Sequence, residues 1–246
     1  MIMKVAVVGA AGRMGQSVCE AIEGAKDLEL VARLDSEDEI SAQTLGGAEV
    51  VVEFTVPSAT DANVHAILDA GAHAVVGTTG WTDERLAKVE EHAKRVGQNV
   101  LIAPNYALSA VLAMAFAEKA ATMFESVEVI ELHHPDKVDA PSGTATTTAR
   151  RIGEARAEAG LSSPDATETD PKGTRGGVIE GVNVHAVRLR GLYAHEEILF
   201  GNLGEQLTIR QDSFGRDSFM PGILLAVRKV GSRGGLTYGL EPLLDI

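Results

Sequence analysis

Short apolar runs alternate with amphipathic stretches through the first hundred residues. Lys4 to Val8 is a β-prone run that meets Gly9, with Gly12 and Gly15 close behind. Apolar residues then recur at Met14, Val18 and Ile22, the spacing of one helix face, which predicts a helix over 13–24. Residues 28–34 (LELVARL), 50–54, 73–76 and 100–103 read as four further strands. Between them the pattern predicts helices from Ser58 to about Ala70 and from Thr82 to about Arg95. Ser58 and Thr82 serve as caps, and Gly71 and Gly97 as stops. Residues 37–48 are acidic and weakly patterned, and read as loop. Strand and helix alternating over short loops predict an open, mainly parallel α/β sheet.

The rhythm changes near residue 107. Residues 109–123 form an apolar helix and 126–132 (SVEVIEL) a strand, and helix resumes from about Thr144 to Ala159. Residues 160–181 are rich in Gly, Pro, Ser, Thr and charge, and read as a long functional loop. Strands return at 183–190, 195–200 and 205–210 over short connections, so some neighbours run antiparallel in an α+β mixed sheet. A helix over 218–230 and a small strand over 236–240 complete the chain. The expected domains are 1–106 for dinucleotide binding, 107–216 for substrate and oligomer contacts, and 217–246 returning to the first. The mixed sheet has an apolar face to cover, which points to a homo-oligomer.

Composition narrows the classes. Among 246 residues, 22 basic against 35 acidic side chains give a net charge of −13, which disfavours a nucleic-acid surface. Aromatic residues are 4%, too few for a base-stacking platform. No apolar run approaches the roughly 18 residues of a membrane span. The N-terminus reads as strand rather than secretory leader, and Cys19 stands without a second cysteine, so a cytoplasmic setting is expected.

Two stretches carry the chemistry. In the first, Gly9, Ala10, Ala11, Gly12, Arg13, Met14 and Gly15 form a strand–turn–helix entry whose free N–H groups suit a pyrophosphate. The alternative is a glycine-rich turn serving geometry alone. Asp35 ends the second strand, where an acid can hold a ribose diol, or can be an ordinary loop aspartate. Arg33 and Arg13 are near enough in sequence to offset its repulsion of a 2′-phosphate, so use of both NADH and NADPH is expected. Phe54-Thr55, Gly77-Thr78-Thr79-Gly80 and Ala103-Pro104-Asn105-Tyr106 follow successive strands and are candidates to line the crevice and hold a nicotinamide ring. Plain turn chemistry is the other reading.

The second stretch runs from His133 to Thr144. Ser142, Gly143 and Thr144 open a helix as an anion nest, Lys137 adds a cation, and His133 and His134 can donate protons or bind anions. Together they fit a small dicarboxylate substrate. Metal binding is a weaker reading, because adjacent histidines rarely point the same way and no HExxH order is present. A serine nucleophile lacks its GxSxG setting. A purely structural loop, or a cofactor sensor without turnover, remains open at this point.

The stretch Glu131-Leu132-His133-His134-Pro135-Asp136-Lys137-Val138-Asp139-Ala140-Pro141-Ser142-Gly143-Thr144 resembles the signature of the 4-hydroxy-tetrahydrodipicolinate (dihydrodipicolinate) reductase family. So do Val7 to Gly15, Phe54 to Pro57, Gly77 to Gly80 and Ala103 to Tyr106, and the resemblance spans essentially the whole chain. It implies a Rossmann-like first domain holding NADH or NADPH through the residues above. It also implies His133 as proton donor, and Lys137 as catalytic or substrate-orienting partner. His134, Ser142, Gly143 and Thr144 would then hold substrate carboxylates. The resemblance further implies a homotetramer that closes on its ligands and a place in lysine and diaminopimelate biosynthesis; the residues themselves lead us to expect no metal. Many members carry histidine where this chain has Asp136, which would repel a dicarboxylate unless it turns away or pairs with Lys137.

Overall fold

The protein is described here by a computed structural model, covering residues 2–244. Residue 1 and residues 245–246, included in the expected domain ranges, lie outside the described residues. The chain packs into two compact units, one running up to Ala107 and resuming at Arg216, the other spanning Leu108–Gly215.

In the first unit β1 (Met3–Val8), β2 (Leu28–Leu34), β3 (Val50–Glu53), β4 (His73–Val76), β5 (Val100–Ile102) and β11 (Leu236–Tyr238) form one sheet in the order β11-β5-β4-β3-β1-β2. Every pair is parallel, and the α/β expectation holds. Parallel strands covered on both faces read as near-continuous apolar runs. Val5 to Val8, Val50 to Val52 and Ala74 to Val76 are accordingly buried. The helices are α1 (Arg13–Gly24), α2 (Thr60–Asp69), α3 (Asp83–Val96) and α6 (Met220–Val230). Thr82 caps α3 as predicted, accepting from the Arg85 N–H at 3.4 Å, and Gly97 ends it in the left-handed conformation. Ser58 does not cap α2. The Val56 carbonyl accepts from the N–H groups of both Ala59 and Thr60, so a turn closes after Pro57 and the helix starts later, at Thr60.

In the second unit β6 (Ser126–His133), β7 (Gly177–Ile179), β8 (Val182–Arg188), β9 (Ala194–Asn202) and β10 (Glu205–Ser213) form a sheet in the order β10-β9-β6-β8-β7. Only β6 and β8 pair in parallel, which makes this the expected mixed sheet. Helices α4 (Leu108–Ala120) and α5 (Gly143–Glu158) cover one face. Their core joins Ala117, Ala121, Ala149 and Ile152 to Val127, Val129, Ile198 and Phe200. The long loop is less open than its composition suggests. Gly177–Ile179 is a strand against β8, and Arg175 ties the loop to Glu128 of β6 at 2.5 Å and to Asp165 at 3.2 Å.

Predicted helix 109–123 stops at Ala120, and the turn beyond it is closed by Arg156 of α5. This buried guanidinium donates to the carbonyls of Ala121, Phe124 and Glu125, each at 2.8 Å. Three carbonyls lose their donor in R156M. We expect a loss on the order of 3 kcal/mol in urea unfolding, and a loss under about 1 kcal/mol would contradict the capping role.

Candidate active site

In the first unit the chain leaves β1 for β2 on one side and returns to β3 on the other. Ligand crevices of open parallel sheets form outside the strand ends at such a switch. Gly9 turns off β1 with φ +83°, and a Cβ there would lie 2.1 Å from the Phe54 carbonyl oxygen. A Cβ at Gly15 would lie 2.0 Å from the Gly9 oxygen, so what its bareness permits is α1 seated directly on the turn. Gly12 is the N-cap of α1 and brings no side-chain acceptor, and no acidic residue lies in the first turn. The first N–H groups of α1 therefore face outward without a protein anion, as a pyrophosphate would require.

Asp35 forms a lip shared by two cavities. One, of about 710 Å³, is bounded by Gly9, Gly12, Ile40, Phe54 and Thr55; the other, of about 380 Å³, by Ala10, Ala11, Cys19, Glu23 and Arg33. Both Asp35 carboxylate oxygens accept from the Ala11 N–H, at 2.9 and 3.1 Å, and keep lone pairs for a diol. Arg33 is exposed and paired with Glu23 at 2.6 Å. Arg13 is exposed and Met14 half-buried. The bare turn, the uncapped helix and the placed carboxylate fit a dinucleotide.

The loops after β3, β4 and β5 adjoin. The space beside Gly77 is filled by the Phe54 ring and that beside Gly80 by Pro57. Thr78 is buried and its Oγ1 accepts from the Thr55 N–H at 2.7 Å. Tyr106 is buried, donates its hydroxyl to the Val76 carbonyl at 2.8 Å, and stands 6.0 Å from Phe54 ring to ring. Its side chain thus belongs to the packing beneath the loops. Ala103 is buried as well, whereas Thr79 and Pro104 are exposed and Asn105 is half-buried. Beneath the β3 loop lies Glu53, fully buried, which accepts from Thr55 Oγ1, from Thr60 Oγ1 at 2.9 Å and from Asn63 Nδ2 at 3.2 Å.

In the second unit a buried carboxylate again anchors the site. Glu131 lies in phase with Val127 and Val129 on the helix-covered face of β6 and is wholly buried. Arg188 of β8 binds it through two nitrogens, at 2.7 and 2.8 Å. The Ser142 N–H donates to it at 3.1 Å, and His133 Nδ1 lies 2.5 Å away. Burial alone would raise the Glu131 pKa, but the bonds from Arg188 and His133 outweigh it and hold the carboxyl below its ordinary range. An ionised carboxylate only accepts, so Nδ1 of His133 carries a proton and Nε2 is the free nitrogen. Burial draws the His133 pKa below the ordinary histidine value despite the opposing pull of Glu131.

His133 is the last residue of β6 rather than part of the loop, which fixes its ring direction to the sheet. Lys137 pairs with Asp139 at 2.6 Å, not with Asp136, and Arg188 also holds the Asp139 carbonyl at 2.8 Å. Asp136 is exposed. Ser142 caps α5, accepting from the Ala145 N–H at 3.1 Å, which leaves exposed Gly143 and half-buried Thr144 at the helix mouth. His134 Nδ1 is buried with no hydrogen-bond partner among the described residues, and its ring lies 6.4 Å from that of Tyr193. Sequence reading gave no role to Glu53, Glu131, Asp139 or Arg188. The signal for Glu131 was an acid in the buried phase of an apolar strand.

Among the described residues, no group of three or more His, Cys, Asp or Glu is arranged to hold a metal ion. No helix there is long and apolar enough to cross a membrane.

Comparison with known proteins follows the same division. Residues 3–106 match the model of dihydrodipicolinate reductase, N-terminus, and residues 109–244 that of dihydrodipicolinate reductase, C-terminus. The chain is 59% identical over 248 residues to 4-hydroxy-tetrahydrodipicolinate reductase of Beutenbergia cavernae and 60% identical over 252 residues to that of Bifidobacterium longum. Each match covers 100% of both chains. Among solved structures, dipicolinate-bound dihydrodipicolinate reductase from Paenisporosarcina sp. TG-14 superposes with a TM-score of 0.89 at 35% identity, covering 98% of this chain and 99% of that one. Matched in both halves and along its full length, the chain belongs to the dihydrodipicolinate reductase family.

Proposed function

We propose that this chain reduces 4-hydroxy-tetrahydrodipicolinate, or the dihydrodipicolinate derived from it, to tetrahydrodipicolinate at the expense of NADH or NADPH, in lysine and diaminopimelate biosynthesis. The observation that carries the reading is His133, held by buried Glu131 with Nε2 free, at the mouth of a helix whose first turn suits a carboxylate. Family membership supports the same chemistry.

The first unit is the dinucleotide domain in this reading. Gly9 to Gly15 and the first turn of α1 hold the pyrophosphate. Asp35 holds the adenosine ribose, and the loops carrying Thr79, Pro104 and Asn105 hold the nicotinamide end. Once bound, the cofactor supplies the hydride. Phe54, Thr55, Gly77, Thr78, Ala103 and Tyr106 build the floor on which those loops rest.

The second unit handles the substrate. Gly143 and Thr144 at the start of α5, with Ser142 setting the cap, hold one carboxylate, and Lys137 and His134 meet the other. Two carboxylates arriving beside His133 favour its imidazolium, so substrate binding draws a proton onto Nε2. As electron density builds on the ring nitrogen or adjacent carbon of the substrate, Nε2 delivers that proton. Glu131 steadies the imidazolium before transfer and keeps the ring aimed afterwards. Lys137 neutralises the substrate's charge, exchanging its Asp139 partner for a carboxylate.

We further place the enzyme in the cytoplasm, which the lone Cys19 supports, and assign it a homotetramer. The face of the second sheet opposite α4 and α5 carries half-buried Ile130 and Leu132 beside exposed Val187, an apolar strip suited to another copy. Sedimentation should return the mass of four chains, and a monomer would contradict the assignment.

Removing the proton donor and removing a carboxylate ligand should separate kinetically. H133Q is expected to lose about 10²–10⁴ in kcat with a small change in KM, and an unchanged kcat under chemistry-limited conditions would remove His133 from the mechanism. T144V should raise KM and the dissociation constant with kcat largely kept, so unaltered binding would count against its role. For the cofactor, Asp35 favours a free ribose while Arg33 offers a 2′-phosphate partner at the cost of its Glu23 pair. The two kcat/KM values should therefore agree within about 1000-fold, and a larger ratio either way would defeat dual use.

A further inference from the structure

Glu196 is a second buried acid that the mechanism above does not use. It lies on β9 directly across from Glu131 of β6, in the buried phase with Ile198 and Phe200. Directly opposed residues of an antiparallel pair share one face of the sheet. Glu196 is 2% exposed, and its Oε1 has no hydrogen-bond partner among the described residues. Its Oε2 lies 3.1 Å from the Thr148 hydroxyl of α5.

That hydroxyl also lies 3.0 Å from the Thr144 carbonyl oxygen. The Thr148 hydroxyl divides its proton between Glu196 Oε2 and the Thr144 carbonyl, so the carboxyl receives at most one shared hydrogen bond. Its two neighbours across the sheet bring it no positive charge. Opposite Glu196 on β10 is Gln211, to which Ser109 of α4 donates at 3.4 Å. The acid facing it on β6 is Glu131, whose own charge is matched by Arg188 and His133; His133 also feels Lys137. Burial outweighs the hydrogen bond from Thr148 and, with the adjacent charge of Glu131 adding to it, pushes the Glu196 pKa up to about 7.

We propose that Glu196 is a positioning residue kept as the neutral acid, so that Glu131 stays the single negative charge behind His133 and the imidazolium remains ready to release its proton. A second carboxylate on that face would hold the proton on His133 and slow its delivery. This inference rests on the reading of His133 as proton donor, yet the coupling can be measured without turnover.

The experiment is an NMR titration of His133, assigned by the signal lost in H133Q, in wild type, E196Q and E196L, each paired with the pH profile of kcat/KM. In wild type Glu196 is the neutral acid while His133 titrates, so His133 should give a single sharp curve. E196Q and E196L are neutral as well, so the His133 midpoint and the matching kcat/KM limb should stay within about 0.3 pH units of wild type. A His133 midpoint lower by about half a pH unit or more in both variants would mean that Glu196 is charged while His133 titrates, and would overturn the proposal. A kcat/KM limb that does not coincide with the His133 midpoint would instead defeat the role of His133 as donor.

Stability supplies a check that packing alone does not mimic. The folded-state pKa of Glu196 is raised, so its stabilising contribution is present below the unfolded carboxyl value and is lost as pH rises through about 7. The melting temperature of E196Q minus that of wild type should grow between about pH 5 and about pH 8, and a constant difference would contradict a neutral Glu196.

Discussion

The second unit depends on one buried negative charge. Glu131 sits where an apolar strand would place another valine, and burying a carboxylate there is costly unless several donors meet it. Arg188 brings two, the Ser142 backbone brings one, and His133 brings the fourth. Each donor belongs to a different part of the unit. The carboxylate therefore fixes the end of β8 to β6, starts α5 at Ser142, and sets which nitrogen of His133 faces outward. Satisfying this charge and aiming the His133 imidazole are the same arrangement.

The first unit repeats the device for a different end. Glu53 closes β3 and gathers Thr55, Thr60 and Asn63, thereby joining the β3 loop to the start of α2. The groups gathered by Glu53 present nothing titratable to a ligand. The gain is a rigid floor, completed by Phe54 lying against Gly77 and by Tyr106 bonded to Val76. A cofactor held by backbone groups needs such a floor, because backbone cannot adjust as a side chain can.

Much of this was legible in the residue pattern, for identifiable reasons. Parallel strands such as Val50–Glu53 announce themselves as apolar runs, and the Thr82 cap and Gly97 stop of α3 are local signals. The cluster from His133 to Thr144 is contiguous, so its chemistry is visible without a fold. Arg188 is not: it lies 57 residues from Glu131, and only the parallel pairing of β6 with β8 brings it there. Glu196 likewise reads as one of two ordinary acids until the register of β6 and β9 sets it against Glu131. The false cap at Ser58 has the opposite cause, since a sound local signal lost to the turn closed on Val56. Local chemistry is read from the chain, while partnership across strands has to wait for the register.

The central claim is that these two units together reduce a cyclic dicarboxylate. The direct measurement follows loss of the reduced-nicotinamide absorbance, with NADH and with NADPH, while the condensation product of aspartate semialdehyde and pyruvate is formed in situ. Decay that begins only when that product is present, with either cofactor, is the predicted result. Binding of both cofactors without any substrate-dependent decay would leave the first unit's reading intact and contradict the account of His133.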